Sequence, residues 1–330
     1  MSEIKRATVI LLVSLSFHAA AATSALSADV PGGLTPIRIG IASRGTLDMP
    51  YFVALERGFF REEGLAAEII LMKAIQTIQS LLGGSIEFGT ATGTAVSAAV
   101  NGSDVRVVSA LTDKPVFDLI ALPSITNVQQ LRGKKIGVSA VGSLGEILAR
   151  QILLAHKVPP DQVTIIALGQ SSFTYAALKG GVLDAIMAPI PNTFIAQDEG
   201  FRKLAGGGDV YRAVNGGLTT TKLLISNRPE LVTRVIRATL RAVQLIKSDK
   251  KFGIEFIKGP HLDLGRERER LAERVYDAAV QGYLLSGSVD EKLQQEMIAD
   301  AAQRIKPAQP VTPERVFDFS FVHKVTQTLR

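Results

Sequence analysis

The side chains best suited to binding a small molecule are hydroxyl groups in short loops that follow predicted strands. The loop Ser139-Ala140-Val141-Gly142-Ser143 is the most informative of these loops, because it leads directly into a predicted helix. Small residues allow a ligand to approach the backbone, and the first amides of a helix are unpaired and partly positive. The residue types and their spacing therefore predict a site for an anionic group.

The same residues also have a purely structural interpretation. Ser143 and Glu146 have the Ser-x-x-Glu spacing of a capping box, in which the two residues cap the helix for each other. Both interpretations can hold together, because Ser139 and the intervening amides would remain available to a ligand.

Two further loops are candidates. The segment Thr90 to Thr94, which includes Thr92 and Gly93, offers hydroxyls and amides without charge, and an ordinary helix start explains it equally well. Arg44, in the loop after the first predicted strand, is the one fixed cation expected near the site. An exposed surface arginine is the alternative for that residue.

Catalysis has little support in the sequence. His156, His261 and His323 lie far apart, and their spacing matches no metal site. No nucleophile elbow, phosphate-binding loop or dinucleotide fingerprint follows a predicted strand. We therefore expect a binding protein without enzymatic activity, metal or cofactor.

The elements that position these loops form an internal repeat. Residues 37–91 and 134–188 share one pattern at an offset of 97 positions, which three anchor segments support. Arg38–Ile41 aligns with Lys135–Val138, Gly83–Glu87 aligns with Gly180–Asp184, and the apolar stretch after Glu68 aligns with the one from Thr164 to Leu168. Each copy predicts strand, helix, strand, helix, strand. An α/β fold with two lobes around a ligand-binding cleft is expected, with the candidate loops at the carboxyl ends of strands.

The predicted boundaries place residues 29–123 and 223–330 in lobe one and residues 124–222 in lobe two. Chain crossings near residues 122–125 and 215–225 would form a hinge. From Arg228 onward the pattern is helical, including a helix from Pro313 to Leu329, and we interpret this part as packing around lobe one.

The first 28 residues have the pattern of a secretory signal. Lys5 and Arg6 precede an apolar run, and a small-residue stretch offers cleavage points after Ala22, Ala25 or Ala28. The chain has no cysteine, which excludes disulfides and a lipid-attachment site. The expected location is the periplasm, as an unanchored monomer.

The net charge of +6 favours anionic partners without defining a site. Nucleic acid is not an expected partner, because tryptophan is absent and the basic residues are not interleaved with aromatic ones. Arg234, Arg237 and Arg241 are interpreted as a solvated helix face.

Three segments carry a family resemblance: Pro50 to Leu65, Leu131 to Val138, and Gly180 to Ala185. The first contains an Ala-x-x-x-Gly-Phe-Phe-x-x-Glu-Gly-Leu stretch. These segments resemble periplasmic substrate-binding proteins of nitrate, sulfonate and taurine ABC importers and the related pyrimidine-precursor proteins of thiamine synthesis. The resemblance covers roughly residues 37–246.

The resemblance implies a type II periplasmic binding fold that closes on a small ligand and delivers it to an ABC permease. The resemblance does not specify the substrate. Arg44 and the helix amides favour a small organic anion, a sulfonate or carboxylate before nitrate. A pyrimidine precursor of thiamine, or a role as a periplasmic sensor subunit, remains an alternative. The family's site falls on residues Ser43, Gly45, Thr46, Met49 and Pro189, and on the loops 90–93 and 139–143 already named.

Overall fold

The structure is a computed structural model that describes residues 33–139, 141–169, 171–262 and 264–329. The predicted signal, residues 1–28, lies outside the described residues. Within the described part, two five-stranded mixed sheets form the centre of the molecule. No helix of this part is long and apolar enough to span a bilayer.

Ten strands occur in the described residues. They are β1 (Thr35–Ile41), β2 (Leu65–Leu71), β3 (Phe88–Gly89), β4 (Val105–Thr112), β5 (Phe117–Ala121), β6 (Lys135–Val138), β7 (Thr164–Ala167), β8 (Ala185–Pro189), β9 (Arg202–Gly206) and β10 (Asn215–Thr221).

Helices connect these strands and form the carboxyl-terminal third of the chain. They are α1 (Met49–Glu56), α2 (Phe59–Glu62), α3 (Ala74–Leu82), α4 (Thr92–Val100), α5 (Leu144–Ala155), α6 (Ser171–Lys179), α7 (Asn192–Asp198), α8 (Lys222–Asn227), α9 (Pro229–Ser248), α10 (Lys250–Lys258), α11 (Arg268–Val280), α12 (Glu291–Ile305), α13 (Pro313–Val316) and α14 (Ser320–Thr326).

The two sheets have the same plan. The first has the order β2-β1-β3-β10-β4 and the second the order β7-β6-β8-β5-β9. In each sheet the first three strands of the order run parallel and the fourth runs antiparallel to the third. The carboxyl ends of the parallel strands therefore meet at one edge of each sheet, where ligands bind in open α/β folds.

The strand register confirms the internal repeat. In the first sheet Ile39 pairs with Phe88, and in the second Ile136 pairs with Ala185, both at the predicted offset of 97. The outer parallel strand departs from it by one residue, because Ile39 pairs with Ile69 whereas Ile136 pairs with Ile165, an offset of 96.

An acidic residue repeats with the strands. Glu87 accepts a hydrogen bond from the backbone N–H of Arg38 at 2.7 Å, and Asp184 accepts one from the N–H of Lys135 at 2.9 Å. These contacts fix the third strand of each copy against the first. Both copies thus have the same local architecture as well as the same element order.

The lobe boundaries differ from the predicted ones. The strand β5 pairs with β8 and β9, so the first crossing lies at residues 113–116 and not beyond residue 122. The strand β10 pairs with β3 and β4, so the second crossing lies at residues 207–214. Lobe one is thus built on the first sheet and lobe two on the second. The short link that contains Pro115 has no sequence pattern to show that β4 and β5 belong to different sheets.

Each sheet is covered by apolar side chains on both faces, as expected for parallel strands between helices. One large core joins the first sheet to the helices after residue 228. Two smaller cores cover the faces of the second sheet, one against α5 and one against α6 and α7. Lobe one therefore contains the larger core.

Two predictions for the carboxyl-terminal part need correction. The predicted helix from Pro313 to Leu329 is broken, because Phe317 is extended and forms a bridge with Val107 of β4. The arginines of α9 do not form a solvated face, because Arg237 and Arg241 form ion pairs with acidic residues at the end of α2, at 2.7 and 2.6 Å.

Candidate functional site

A cavity of about 540 Å³ lies between the two lobes at the carboxyl ends of the parallel strands. Its wall in lobe one comes from the loops after β1 and β3 and from the first half of α4. Its wall in lobe two comes from the start of α5, and the second crossing and α12 complete it. The lining residues are 42, 43, 47, 48, 75, 90–94, 96, 97, 142–144, 147, 211, 213–216, 297, 300, 301 and 304.

The structure brings part of the predicted site together. The predicted residues that line this cavity are Ser43, Thr90, Thr92, Gly93, Gly142 and Ser143. The predicted residues that do not line it are Arg44, Gly45, Thr46, Met49, Ser139, Val141 and Pro189. Contact of any of them with a ligand stays a prediction.

The loop after β1 explains why Arg44 is outside the cavity. Residues Thr46–Asp48 form a short 3-10 turn, which directs the Asp48 carboxylate inward. Gly45 closes the turn, because its carbonyl accepts the N–H of Asp48 at 3.1 Å. Arg44 is left exposed on the outer side of the loop. The expected fixed cation is therefore absent from the lining.

The other predicted residues outside the cavity either have structural contacts or, like Val141, are exposed. Met49 is fully buried in the core of lobe one. The carbonyl of Thr46 accepts the hydroxyl of Tyr283, and the carbonyl of Ser139 accepts the N–H of Gly169 at 2.9 Å. Pro189 ends β8 opposite Phe117, and Val141 is 85% exposed.

Asp48 is a buried acid in the cavity wall, with only 3% of its surface exposed. The Ser43 hydroxyl donates to its Oδ2 at 2.9 Å, and the Thr90 hydroxyl donates to its Oδ1 at 2.7 Å. Burial raises the pKa of Asp48 to about 6, although the two hydroxyls lower it. The carboxylate is thus held in one orientation at a considerable desolvation cost.

Two buried tyrosines lie close enough to Asp48 to be affected by its charge. Tyr51 donates its hydroxyl to the carbonyl of Gly217 at 2.7 Å, and Tyr283 donates to the carbonyl of Thr46. Burial raises the pKa of both phenols, and the charge of Asp48 raises it further. Both phenols are therefore neutral and do not compensate the charge of Asp48.

The helix start in lobe two is already occupied by an internal anion. The Ser143 hydroxyl accepts the N–H of Glu146 at 3.3 Å, which confirms the serine half of the predicted capping box. The Glu146 carboxylate accepts the N–H of Gly142 at 2.6 Å and pairs with Arg150. This backbone contact lowers the pKa of Glu146. An anionic ligand at this loop would meet a carboxylate, contrary to the expectation from the sequence.

The helix start in lobe one is open instead. Ala91 precedes α4 and has no side-chain oxygen, so no side chain caps the helix. The Thr90 hydroxyl is directed to Asp48 and not to the helix. The N–H of Thr92 donates to the carbonyl of Thr90 at 2.9 Å. Because the first amides of a helix have no partner within it, those of Gly93 and Thr94 can donate to an acceptor in the cavity.

Replacing Ser143 with alanine should lower the free energy of unfolding by about 1 kcal/mol, because the N–H of Glu146 then loses its cap. A urea titration of the variant, with Ser143→Thr as a control that keeps the hydroxyl, measures the change. Equal stability of Ser143→Ala and the unmodified protein would show that the cap contributes nothing.

The second crossing and α12, which packs against α4, complete the lining. Tyr211 donates its hydroxyl to Asp300, and burial together with this contact raises the pKa of the phenol. Arg304 lies one helical turn further along α12 and is exposed. The charged side chains among the lining residues are thus Asp48, Asp300 and Arg304, with two carboxylates against one cation.

Several of these residues were not predicted from the sequence. Asp48 lies in the predicted ligand-binding loop after β1. An acidic residue just before Pro50, at the start of a helix, is a pattern from which it could have been selected. Tyr211, Asp300 and Arg304 had none, because α12 has the pattern of an ordinary amphipathic helix. The apolar side chains of the lining were also missed: Leu47, Ile75, Val96, Leu144, Ile147, Val214 and Met297.

A second cavity, of about 640 Å³, lies between the end of α4 and residues 305–315. It is distant from the strand ends, and its Arg315 is held by Asp104 at 2.6 Å. Within the described ranges, no cluster of histidine, aspartate and glutamate could hold a metal ion.

Known proteins with similar sequences include binding proteins and enzymes. The riboflavin-binding protein RibY of Chloroflexus aurantiacus is 27% identical over 240 residues, which cover 68% of this chain and 67% of RibY. The 4-amino-5-hydroxymethyl-2-methylpyrimidine phosphate synthase THI12 of Saccharomyces cerevisiae is 30% identical over 132 residues, 38% of each chain. The chain thus spans well under two thirds of the yeast enzyme.

Solved structures share the fold at low sequence identity. The periplasmic aliphatic sulphonate binding protein SsuA from Escherichia coli has a TM-score of 0.70 at 17% identity, covering 86% of this chain and 97% of SsuA. The periplasmic nitrate-binding protein NrtA from Synechocystis PCC 6803 has a TM-score of 0.67 at 13% identity, covering 90% and 89%. These similarities confirm the predicted periplasmic binding protein fold.

The family model described as "NMT1/THI5 like" matches residues 47–251. This segment is more than half of the chain and includes both crossings, the loops around Asp48 and Thr90, and the start of α5. It also includes the three segments on which the sequence resemblance rested. The chain therefore belongs to the NMT1/THI5-like family.

Proposed function

We propose that this protein is a solute-binding receptor of an ABC importer, exported to the periplasm, which delivers a small ligand to a membrane permease. One observation carries the proposal: a cavity of about 540 Å³ is lined by both lobes at the strand ends. This volume lies in the range of small-molecule sites. Relatives with this fold include sulfonate-binding and nitrate-binding transport proteins, which supports the same role here.

The lining favours one of the ligand classes that the sequence left open. A sulfonate or carboxylate was the first expectation, but Asp48 and Asp300 would repel it and Glu146 occupies the helix start in lobe two. Apolar side chains such as Ile75, Leu144 and Ile147 suit a flat ring. We therefore favour an uncharged nitrogen heterocycle, of the pyrimidine type, with an acceptor that faces the amides of α4.

Lobe closure has a structural basis in the two crossings. Arg212 in the second crossing donates to Asp113 in the first at 2.6 Å and to Asp290 at the start of α12 at 2.7 Å. A separate contact joins the lobes, because Asp198 of α7 pairs with Arg274 of α11 at 2.7 Å and also with Arg270. We propose that the crossings form the hinge and that α7 and α11 adjust as the lobes close.

An enzyme is the second candidate function, because the similar yeast protein THI12 is a synthase. The cavity lining contains no histidine, lysine or cysteine that would serve as a base or nucleophile. Tyr211 and Asp300 are paired with each other. Binding without turnover is the function that these side chains support.

The proposal is tested by a ligand screen of the protein without its signal, unfolded and refolded to remove bound molecules. The panel contains ethanesulfonate, nitrate, riboflavin and 4-amino-5-hydroxymethyl-2-methylpyrimidine, hereafter the aminopyrimidine probe. A compound at about 100 times its dissociation constant should stabilise the folded state by about 2.7 kcal/mol, seen as a higher thermal midpoint.

Small-angle scattering of the same samples measures closure. We expect the compound that raises the midpoint to reduce the radius of gyration and to be recovered unchanged. Recovery of a chemically altered compound would contradict the receptor role, as would a panel in which no compound changes either quantity.

A further inference from the structure

The inference rests on the proposed function and concerns what the cavity selects. Asp48 accepts a hydrogen bond on each carboxylate oxygen, from the hydroxyls of Ser43 and Thr90 at 2.9 and 2.7 Å. A hydroxyl has one proton and two lone pairs. Each of these hydroxyls therefore donates its only hydrogen bond to Asp48. Towards a ligand, it can act only as an acceptor.

The result is a patch of the cavity lining, formed by the side chains of Ser43, Asp48 and Thr90, that offers a ligand only hydrogen-bond acceptors. The carboxylate of Asp48 is itself an acceptor, and Ser43 additionally receives the N–H of Gly45 at 3.2 Å. Elsewhere in the lining, Tyr211 likewise donates its hydroxyl proton to Asp300. A ligand that covers these atoms must supply N–H or O–H groups, because an acceptor that loses water and gains no donor costs free energy.

We propose that Asp48 is a specificity-determining residue, which fixes the Ser43 and Thr90 hydroxyls as acceptors so that the cavity selects ligands with hydrogen-bond donors and rejects oxyanions. Its role is to set the polarity of its neighbours as well as to contact the ligand. A neutral serine and threonine pair would rotate to suit either kind of ligand. The buried carboxylate removes that choice.

Protonation of Asp48 should reverse this polarity. A protonated carboxyl donates its own proton to one hydroxyl, which frees that hydroxyl to donate into the cavity. Burial raises the pKa of this acid to about 6. The titratable groups that face it, Tyr51 and Tyr283, have raised pKa values and stay neutral. The cavity's other titratable side chains are Tyr211, Asp300 and Arg304.

The test compares an acceptor-only ligand with a donor-bearing one. Dissociation constants of ethanesulfonate and of the aminopyrimidine probe are measured by calorimetry for the unmodified protein, for Asp48→Asn and for Asp184→Asn. Asparagine donates to one hydroxyl and so frees its proton. Asp184→Asn is the matched control, since that acid lies outside the cavity and accepts the N–H of Lys135.

At about pH 7.5, Asp48→Asn should reduce the preference for the aminopyrimidine probe over ethanesulfonate by at least about tenfold, and Asp184→Asn should not. Between about pH 7.5 and about pH 5, ethanesulfonate should bind the unmodified protein at least about tenfold more tightly, and Asp48→Asn should show no such rise. Ethanesulfonate keeps its charge over this range, so the change reports the protein.

An unchanged preference in Asp48→Asn overturns the inference and leaves the receptor function standing. If that variant does not fold, a pH-independent affinity of the unmodified protein for ethanesulfonate overturns it. Failure of the aminopyrimidine probe to bind the unmodified protein also overturns it. The receptor function itself fails only if no compound of the wider panel binds.

Discussion

Replacing Asp48 with asparagine is expected to stabilise the folded protein by roughly 3 kcal/mol at about pH 7.5. Burial raises the pKa of this carboxyl from 3.8 to about 6, and each unit corresponds to about 1.4 kcal/mol. Asparagine has the same shape and can keep both contacts to Ser43 and Thr90. It therefore removes the cost of a buried charge without opening a void.

The sign of the pH dependence follows from proton binding. Between about pH 4 and pH 6 the folded protein keeps a proton on Asp48 that the unfolded chain has released, so stability contributed by this group falls as the pH rises. The gap between the variant and the unmodified protein should shrink to roughly 1 kcal/mol at about pH 4.5. Urea titrations at both pH values measure it.

Asp184→Asn is the control for this experiment as well. Its carboxylate accepts a backbone N–H and lies beside Lys134 at 3.6 Å, so its removal should not stabilise the protein. A variant Asp48→Asn that is no more stable than the unmodified protein at about pH 7.5 would show that the carboxylate is adequately solvated in the cavity. If the loss of the Asp48 carboxylate stabilises the folded protein, the acid is retained for binding and not for stability.

Replacing Gly93 with aspartate should weaken binding of the aminopyrimidine probe by at least about 100-fold, or about 2.7 kcal/mol. Gly93 is the second residue of α4 and lines the cavity. Apart from the adjacent residues and the backbone of α4 itself, no atom lies within 4 Å of the position that a Cβ would take. The new carboxylate would occupy the place of the ligand's acceptor at the open helix start.

The fold should tolerate this change, because a negative charge at a helix start is stabilising by about 0.3–1 kcal/mol. Gly93→Asn matches the aspartate in size without charge, and Gly93→Ala tests the loss of glycine alone. We expect Gly93→Ala to weaken the affinity for the aminopyrimidine probe by about threefold or less. Gly93→Asn should weaken it by an amount between those of the alanine and aspartate variants. Unchanged affinity in Gly93→Asp would place the ligand elsewhere.

Much of the fold was predictable from the sequence for a physical reason. Strands and helices leave short-range patterns, such as the apolar run of β1, the glycines that end α3 and α6, and the Ser143 cap of α5. The repeat at an offset of 97 positions predicted two lobes of the same plan. Family-specific residues around Gly58 and Gly64 then indicated the fold.

The lobe boundaries were less accessible. Pairing partners of β5 and β10 lie far away in the chain, so a strand pattern alone does not tell which sheet a strand joins. The break at Phe317 has the same origin, because its bridge to Val107 joins residues that are distant in the sequence. Long-range contacts decided both features.

The sequence by itself determined that this chain would form two α/β lobes with hydroxyl-rich loops at the strand ends, because local pattern and repetition encode elements and their order. Only the tertiary structure decided the polarity of the cavity. Burial of Asp48 between Ser43 and Thr90, exposure of Arg44, and the approach of Asp300 and Arg304 all depend on packing across the fold. The electrostatics of a site follow from which charges lose water together, and one-dimensional spacing does not record that.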